Sequence, residues 1–294
     1  MQGSLALHRG VLYVGRHEKT AHVSTWDLDG MSRGASFSFR DPALGRASAM
    51  GIAVDDDRRV WLADTAASYV RCFTLFGTET ARLGTGPEDD LPPDLLPDVA
   101  GVVRQPIDVA VEGDSDAARL VVASGGVRRH AVQVFTGAGR PMVSLRPEGD
   151  PQAVFRGVRG VALDGRFVYV AETGAGRVQV FRDHEFHFLF RASFRGGARF
   201  EPTAVAPLPD GRMVVAHGGP AGGLILFDAA GRVVRVLATC GREEGAVFEP
   251  NDVAVDPTGG DRTTRVAVID RDGDRVQVFT LEGRCYGSFR GLAG

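Results

Sequence analysis

Residues 160–181, GVALDGRFVYVAETGAGRVQVF, carry two apolar bursts separated only by glycine and short polar turns. Strands with one wet face alternate apolar and polar residues. VYVA and VQVF do not, so both faces of such strands are expected to be covered. The phrase returns as MGIAVDDDRRVWLADTAASYVRCF (50–73) and PIDVAVEGDSDAARLVVASGGVRRHAVQVF (106–135). It returns again as PTAVAPLPDGRMVVAHGGPAGGLILF (202–227) and PNDVAVDPTGGDRTTRVAVIDRDGDRVQVF (250–279), and a degenerate copy, SLALHRGVLYVGRHEKTAHVSTW, spans 4–26. Each copy reads as three short strands. A fourth follows a polar glycine turn such as TLEGR or DAAGR, and the unit averages roughly fifty residues.

Six such units predict an all-β chain folded as a six-bladed β-propeller of four-stranded antiparallel blades, with residues 1–294 forming one domain. Each blade is sandwiched between two others, which removes the need for alternation. Every unit begins at its first strand, so the ring is expected to close by packing blade 1 against blade 6, with no strand exchanged between the termini. No amphipathic run reaches helical length.

The pattern P-x-D-V-A-V…V-Y-V-A-D/E-T-G-x-x-R-V-Q-V-F…G-R resembles the NHL repeat. It is clearest in 106–135, 157–181 and 250–279 and weakest at the start of the chain. The resemblance implies a propeller fold and leaves function wide open, since such propellers serve as RNA binders, ligand sensors, protein scaffolds and a few enzymes. In the NHL pattern an acid after the second strand faces an Arg before the third. Blade 4 keeps this pair as Glu172 and Arg177, and blade 6 as Asp270 and Arg275. Blade 2 keeps Asp64 but places Tyr69 opposite, while blades 1, 3 and 5 put Arg16, Ser124 and His217 in the acid position. A position released from its structural pair is freer to serve a ligand.

Charge and composition narrow the classes of partner. The formal net charge of -3 exerts no global pull toward nucleic acid or anionic membrane. No stretch approaches the length of a membrane span, and no cationic segment followed by a long apolar run opens the chain. Cys72, Cys240 and Cys285 form a scattered set without a CxxC pair, as expected of free thiols in a cytoplasmic protein. A monomer is expected.

Propeller ligands usually bind where second-to-third-strand loops and inter-blade links surround the channel mouth. The candidates there are Arg16, His17, Asp64, Tyr69, Arg128, Arg129, His217 and Asp270 from the loops. Arg159 and Asn251 come from positions just before a first strand. Peptide-amidating lyases are similar to these repeats down to the phrase QPxDVAVE, matched by residues 105–112, and place zinc-binding His just after the Pro that opens several blades. The matching positions here, Met50, Ile107, Arg159, Thr203 and Asn251, hold no His. Gluconolactonase-like propellers bind calcium at the same mouth through Glu, Asn and Asp; only Asn251, with Asp252 beside it, matches. Neither a metal nor another cofactor is therefore expected. His184 and His187, in RDHEFHFLF, read as part of an edge hairpin whose aromatics pack on a neighbouring blade.

One link breaks the composition. Residues 84–104, GTGPEDDLPPDLLPDVAGVVR, are acidic and proline-rich, and are expected to form a flap over the mouth. Arg104, Arg128, Arg129, Arg146, Arg156 and Arg159 would form a basic sector on blades 3 and 4. Together these features favour a non-catalytic propeller that binds a partner protein or small ligand at its loop-rich face. A lyase or hydrolase with a site at the mouth is the alternative, and RNA binding through the arginine sector is third.

Overall fold

The computed structural model describes residues 2–17, 20–42, 44–45, 48–84, 100–114, 117–125, 130–150, 152–270 and 275–290. Its six blades follow one another along the chain. Blade 1 holds β1 (Gln2–His8), β2 (Val11–His17), β3 (Ala21–Trp26) and β4 (Ser32–Phe39). Blade 2 holds β5 (Ala49–Val54), β6 (Val60–Asp64), β7 (Tyr69–Phe73) and β8 (Glu79–Leu83). In blade 3 are β9 (Pro106–Glu112), β10 (Arg119–Ser124), β11 (Val132–Thr136) and β12 (Pro141–Ser144). Blade 4 comprises β13 (Val158–Asp164), β14 (Phe167–Glu172), β15 (Arg177–Arg182) and β16 (Glu185–Phe190). Blade 5 comprises β17 (Pro202–Pro207), β18 (Met213–His217), β19 (Gly223–Phe227) and β20 (Val233–Thr239). Last come β21 (Pro250–Asp256), β22 (Arg265–Asp270), β23 (Arg275–Thr280) and β24 (Cys285–Arg290).

Every sheet pairs its four strands in sequence order and antiparallel. Among the described residues no strand crosses between blades, as expected from the repeats.

The apolar bursts are explained by where the core sits. Instead of one central core, the described residues form six clusters, one in each seam between blades. Strand β14 shows how a single strand serves two of them. Tyr169 and Ala171 pack toward blade 5, whereas Val168 and Val170 pack toward blade 3, and all four are buried. A strand of this kind has no wet face, so its sequence loses the period of two. Each fully buried Val or Leu contributes about 1.5–3 kcal/mol. The seam between blades 6 and 1 is built the same way, from Leu5, Leu12, Val14, Ala254, Ala267, Ile269 and Val276. Outside these, Trp26 stacks on Phe289 with ring centroids 5.9 Å apart.

The glycine turns set how the outer strand attaches. In five blades the third-to-fourth-strand turn closes with a glycine N–H donating back three residues. Those glycines are Gly30, Gly77, Gly139, Gly231 and Gly283, all with φ between 75° and 84°. That left-handed conformation favours glycine and leaves a one-residue bulge at the start of the fourth strand. Blade 4 uses a two-residue turn instead, Asp183–His184, with both residues at positive φ. Its hairpin does pack aromatics sideways. Phe190 meets Phe227 of blade 5 with centroids 4.7 Å apart, and Phe186 joins the seam toward blade 3.

Candidate functional site at the channel mouth

The inner strands β1, β5, β9, β13, β17 and β21 line a central channel of about 250 Å³. In blades 3 to 6 each inner strand carries an irregularity just after its opening proline or valine, so that one residue has no partner on the second strand. These residues are Ile107, Arg159, Thr203 and Asn251. A bulge re-aims a side chain that would otherwise point into a seam. The four residues line the mouth of the channel together with Asp108, Ala204 and Asp252. Of the five positions marked in the sequence at the blade openings, these four are thus the bulge residues, Met50 of blade 2 lying in a longer irregularity between Ala49 and Ile52. Blade 1 pairs Gly3 with Arg16 and Ser4 with Gly15 without a bulge.

One layer inward stand Ser4, Gly51, Asp108, Gly160, Ala204 and Asp252, each preceding the apolar triplet of its strand. Blades 3 and 6 lie opposite in a six-membered ring, so Asp108 and Asp252 face one another across the mouth. Small residues flank them. A Cβ on Gly51 would meet Asp108 Cα at 2.6 Å, and one on Gly160 would meet Ala204 Cα at 2.9 Å. The inner strands therefore approach at this layer as only glycine permits.

Each of the two carboxylates pins the next blade. Asp108 Oδ2 accepts the Val161 N–H of blade 4 at 2.8 Å, and Oδ1 accepts the Val109 N–H at 2.9 Å. Asp252 Oδ2 accepts the Leu5 N–H of blade 1 at 2.7 Å, and Oδ1 accepts the Val253 N–H at 2.8 Å. Next to Asp252, Asn251 Nδ2 donates to the Gly3 carbonyl. Both aspartates retain some solvent-accessible surface toward the channel, yet protein surrounds them. Burial pushes Asp252 up to about 7 against the pull of its two N–H donors. Burial also raises Asp108 well above the usual carboxylate range, and the charge of Asp252 adds to that rise. The pair thus holds a proton where isolated carboxylates would not.

The loop candidates lie elsewhere. Glu172 accepts from Arg177 Nε at 2.7 Å, Gln179 Nε2 at 2.5 Å and the Arg156 N–H at 2.8 Å. Asp270 accepts from Arg275 Nε at 2.6 Å and the Phe248 N–H at 3.2 Å. Both acids tie a loop to the preceding link. In blade 2 the sequence pattern leaves Asp64 without an arginine, but the structure supplies one. Arg71, two residues beyond Tyr69 on the same face of β7, donates to Asp64 at 3.0 Å and to Glu79 at 3.0 Å, and also pairs with Asp41. Arg71 is 1% exposed. Burial still raises Asp64, outweighing two backbone N–H bonds and Arg71. Tyr69 lies under the Arg71 and Arg82 guanidinium groups, 4.9 and 5.0 Å from its ring centre.

His217 is 1% exposed and sits in the seam between blades 4 and 5. It stacks on Phe194 at 4.9 Å with Phe200 at 5.6 Å, and burial lowers it to about 4. Arg16 is likewise buried, on β2. His17 ends β2 opposite Gln2. Arg128, Arg129 and residues 85–99 of the acidic link lie outside the described residues. Of the candidates read from sequence, the structure brings Arg159 and Asn251 together at the mouth. Asp108 was not among them. Its signal was the recurrence of Asp before VAV in two units three apart, which a six-membered ring places face to face.

No described group of three or more His, Cys, Asp or Glu residues has metal-binding geometry. Among the described residues, no helix is long and apolar enough to cross a membrane.

No protein-family model matches the chain, and no curated protein matches it. Solved structures do. A chain of the crystal structure of the nidogen/laminin complex is 15% identical, with a TM-score of 0.64 over 96% of this chain and 94% of that one. Streptogramin B lyase is 11% identical, with a TM-score of 0.63 over 98% and 82%. Hydrazine synthase of Kuenenia stuttgartiensis is 14% identical, with a TM-score of 0.59 over 96% and 77%. At these identities the likeness establishes the fold: a six-bladed β-propeller.

Proposed function

We propose that this chain is an NHL-type binding module that takes a small polar ligand at the mouth of its channel. The observation that carries the reading is the convergence of two carboxylates, a guanidinium, a hydroxyl and an amide on one cavity, four of whose lining residues are set there by bulges. Cavities with few, convergent polar groups and shifted acids are where ligands bind. The loop acids and His217 are occupied within seams and offer a ligand less.

A second reading has one specific support. A carboxylate pair that holds a proton near neutrality is suited to general acid–base chemistry, so a lyase or hydrolase acting at the same mouth is the rival. The similar structures named for a protein complex and for a lyase stand on either side of that choice.

A thermal-shift screen of small polar compounds on the wild type and on Arg159→Ala tests the binding reading. Ligands of the mouth should stabilise the wild type and lose most of that effect in the variant. Hits that stabilise both proteins equally would place binding elsewhere. Turnover of a hit, abolished by Asp108→Asn, would favour the enzyme.

A further inference from the structure

The space between Asp108 and Asp252 is narrow. The mouth cavity measures about 20 Å³, enough for one water-sized group, and it opens into the larger channel below. We propose, resting on the reading of the mouth as a ligand site, that the group admitted there is a protonated primary amine held between the Asp108 and Asp252 carboxylates, with the rest of the ligand outside at the lip beside Arg159.

Three features select that chemistry. The first is size, since an ammonium head matches a water-sized cavity and a quaternary ammonium does not. The second is donor count. Each oxygen of the two carboxylates accepts one backbone N–H, and a carboxylate oxygen has a further lone pair to offer. An ammonium brings three donors and no acceptor, so it can bridge both acids, whereas a hydroxyl brings one. The third is charge. Asp108 and Asp252 face each other, and among the described residues one other charged side chain lines the mouth, Arg159, which is exposed at the lip. Two bare carboxylates cannot share that site cheaply, and they hold a proton instead. An incoming R–NH₃⁺ takes the place of that proton, which leaves to solvent, and the net charge of the site is unchanged. Arg159 then favours a ligand whose far end is anionic, so an amino acid with separated charges should bind better than a simple alkylamine.

Isothermal titration of the wild-type protein with propylamine, β-alanine, propionate and tetramethylammonium tests this, at pH 6 and pH 8 and in two buffers of different ionisation enthalpy. Propylamine should bind and β-alanine should bind more tightly. Propionate and tetramethylammonium should not bind. Binding at pH 6 should release close to one proton, and affinity should rise about tenfold per pH unit below about pH 7. Asp252→Asn should weaken amine binding at least tenfold while its unfolding remains cooperative. Propionate binding without propylamine would overturn the amine assignment yet leave the mouth as an anion site centred on Arg159. Tetramethylammonium binding as well as propylamine would also overturn it, because a cation would then be attracted without entering. Failure of all four compounds overturns the amine, and the Arg159→Ala screen decides independently whether the mouth binds ligands at all.

Discussion

Two sets of enclosed carboxylates divide this molecule. In the seams, Glu172, Asp270 and Asp64 each face a guanidinium from the third strand of their own blade. At the mouth, Asp108 and Asp252 have backbone N–H donors and each other. The residue type and the repeat are the same, but the consequences are opposite. A seam acid with its Arg is a finished structural element that ties a loop to the link before it. A mouth acid is kept near neutrality by a proton instead of a guanidinium, and a cationic ligand gains by taking that proton's place. Within one repeat, then, an arginine on the third strand, five or seven residues beyond the acid, separates scaffold from site.

The sharpest way to break the contrast is to strip a seam acid of its partner. Arg71→Ala removes the cation shared by Asp41, Asp64 and Glu79, while Arg82 still pairs with Glu79. A buried charge left uncompensated costs about 3–5 kcal/mol, measurable by urea unfolding at pH 7. A loss under about 1 kcal/mol would make the seam pairs ornamental and erase the distinction.

The mouth pair should announce itself through pH. Asp252 titrates near 7 in the folded chain and near 3.9 once unfolded. Between those values the folded state binds more protons, so stability should fall as pH rises from about 4 to about 7, by on the order of 3 kcal/mol. Thermal melts across this range should show that slope in the wild type and a shallower one in Asp252→Asn, where burial still raises Asp108. A wild-type curve that rises through the same range would mean the acids are fully ionised and the contrast with the seams is false.

Gly51→Ala probes the geometry of the pair. The added methyl would meet Asp108 Cα at 2.6 Å, and overpacking of this kind costs about 1–3 kcal/mol. Its more telling effect should be on the slope just described, since pushing Asp108 relative to Asp252 changes how strongly the two couple. The smallest effect is expected from Asn251→Ala, which removes the side-chain bond to the Gly3 carbonyl. That should cost about 1 kcal/mol and raise amide exchange in β1 ahead of the other inner strands.

Much of this could be read in the chain beforehand, for identifiable reasons. The blades were legible because doubly buried strands write unbroken apolar runs such as VYVA, and because the turn glycines recur at one place in the unit. The mouth positions were legible as the residue just after each blade's opening proline, or Val158 in blade 4. That those residues sit in bulges was not, since a bulge is a relation between two strands. Arg71 escaped notice because its guanidinium comes from two residues further along; a shift of two keeps a side chain on the same face of a strand, so the contact survives while the motif does not. Asp108 looked like ordinary repeat consensus, and Asp252 was weighed only beside Asn251 as a calcium ligand. Their opposition arises only when six units are bent into a circle.

Asp252 and Asn251 also bond to residues 247 and 248 positions earlier in the chain, whereas the sheet pairings themselves join consecutive strands. Five seams can therefore zip up from near-neighbour blades, and the sixth must wait for the two ends of an arc to meet. Loop-closure entropy grows only by about 0.6 kcal/mol per doubling of length, so the encounter is slow more than it is unfavourable. Until it happens, blade 1 shows Leu12 and Val14 and blade 6 shows Ala267, Ile269 and Val276, two matching apolar flanks on one open arc. Each flank fits the other flank of a second arc as well as its own. Weakening the clasp should accordingly yield chains joined end to end during refolding at high concentration, before it yields any visible loss of blade structure.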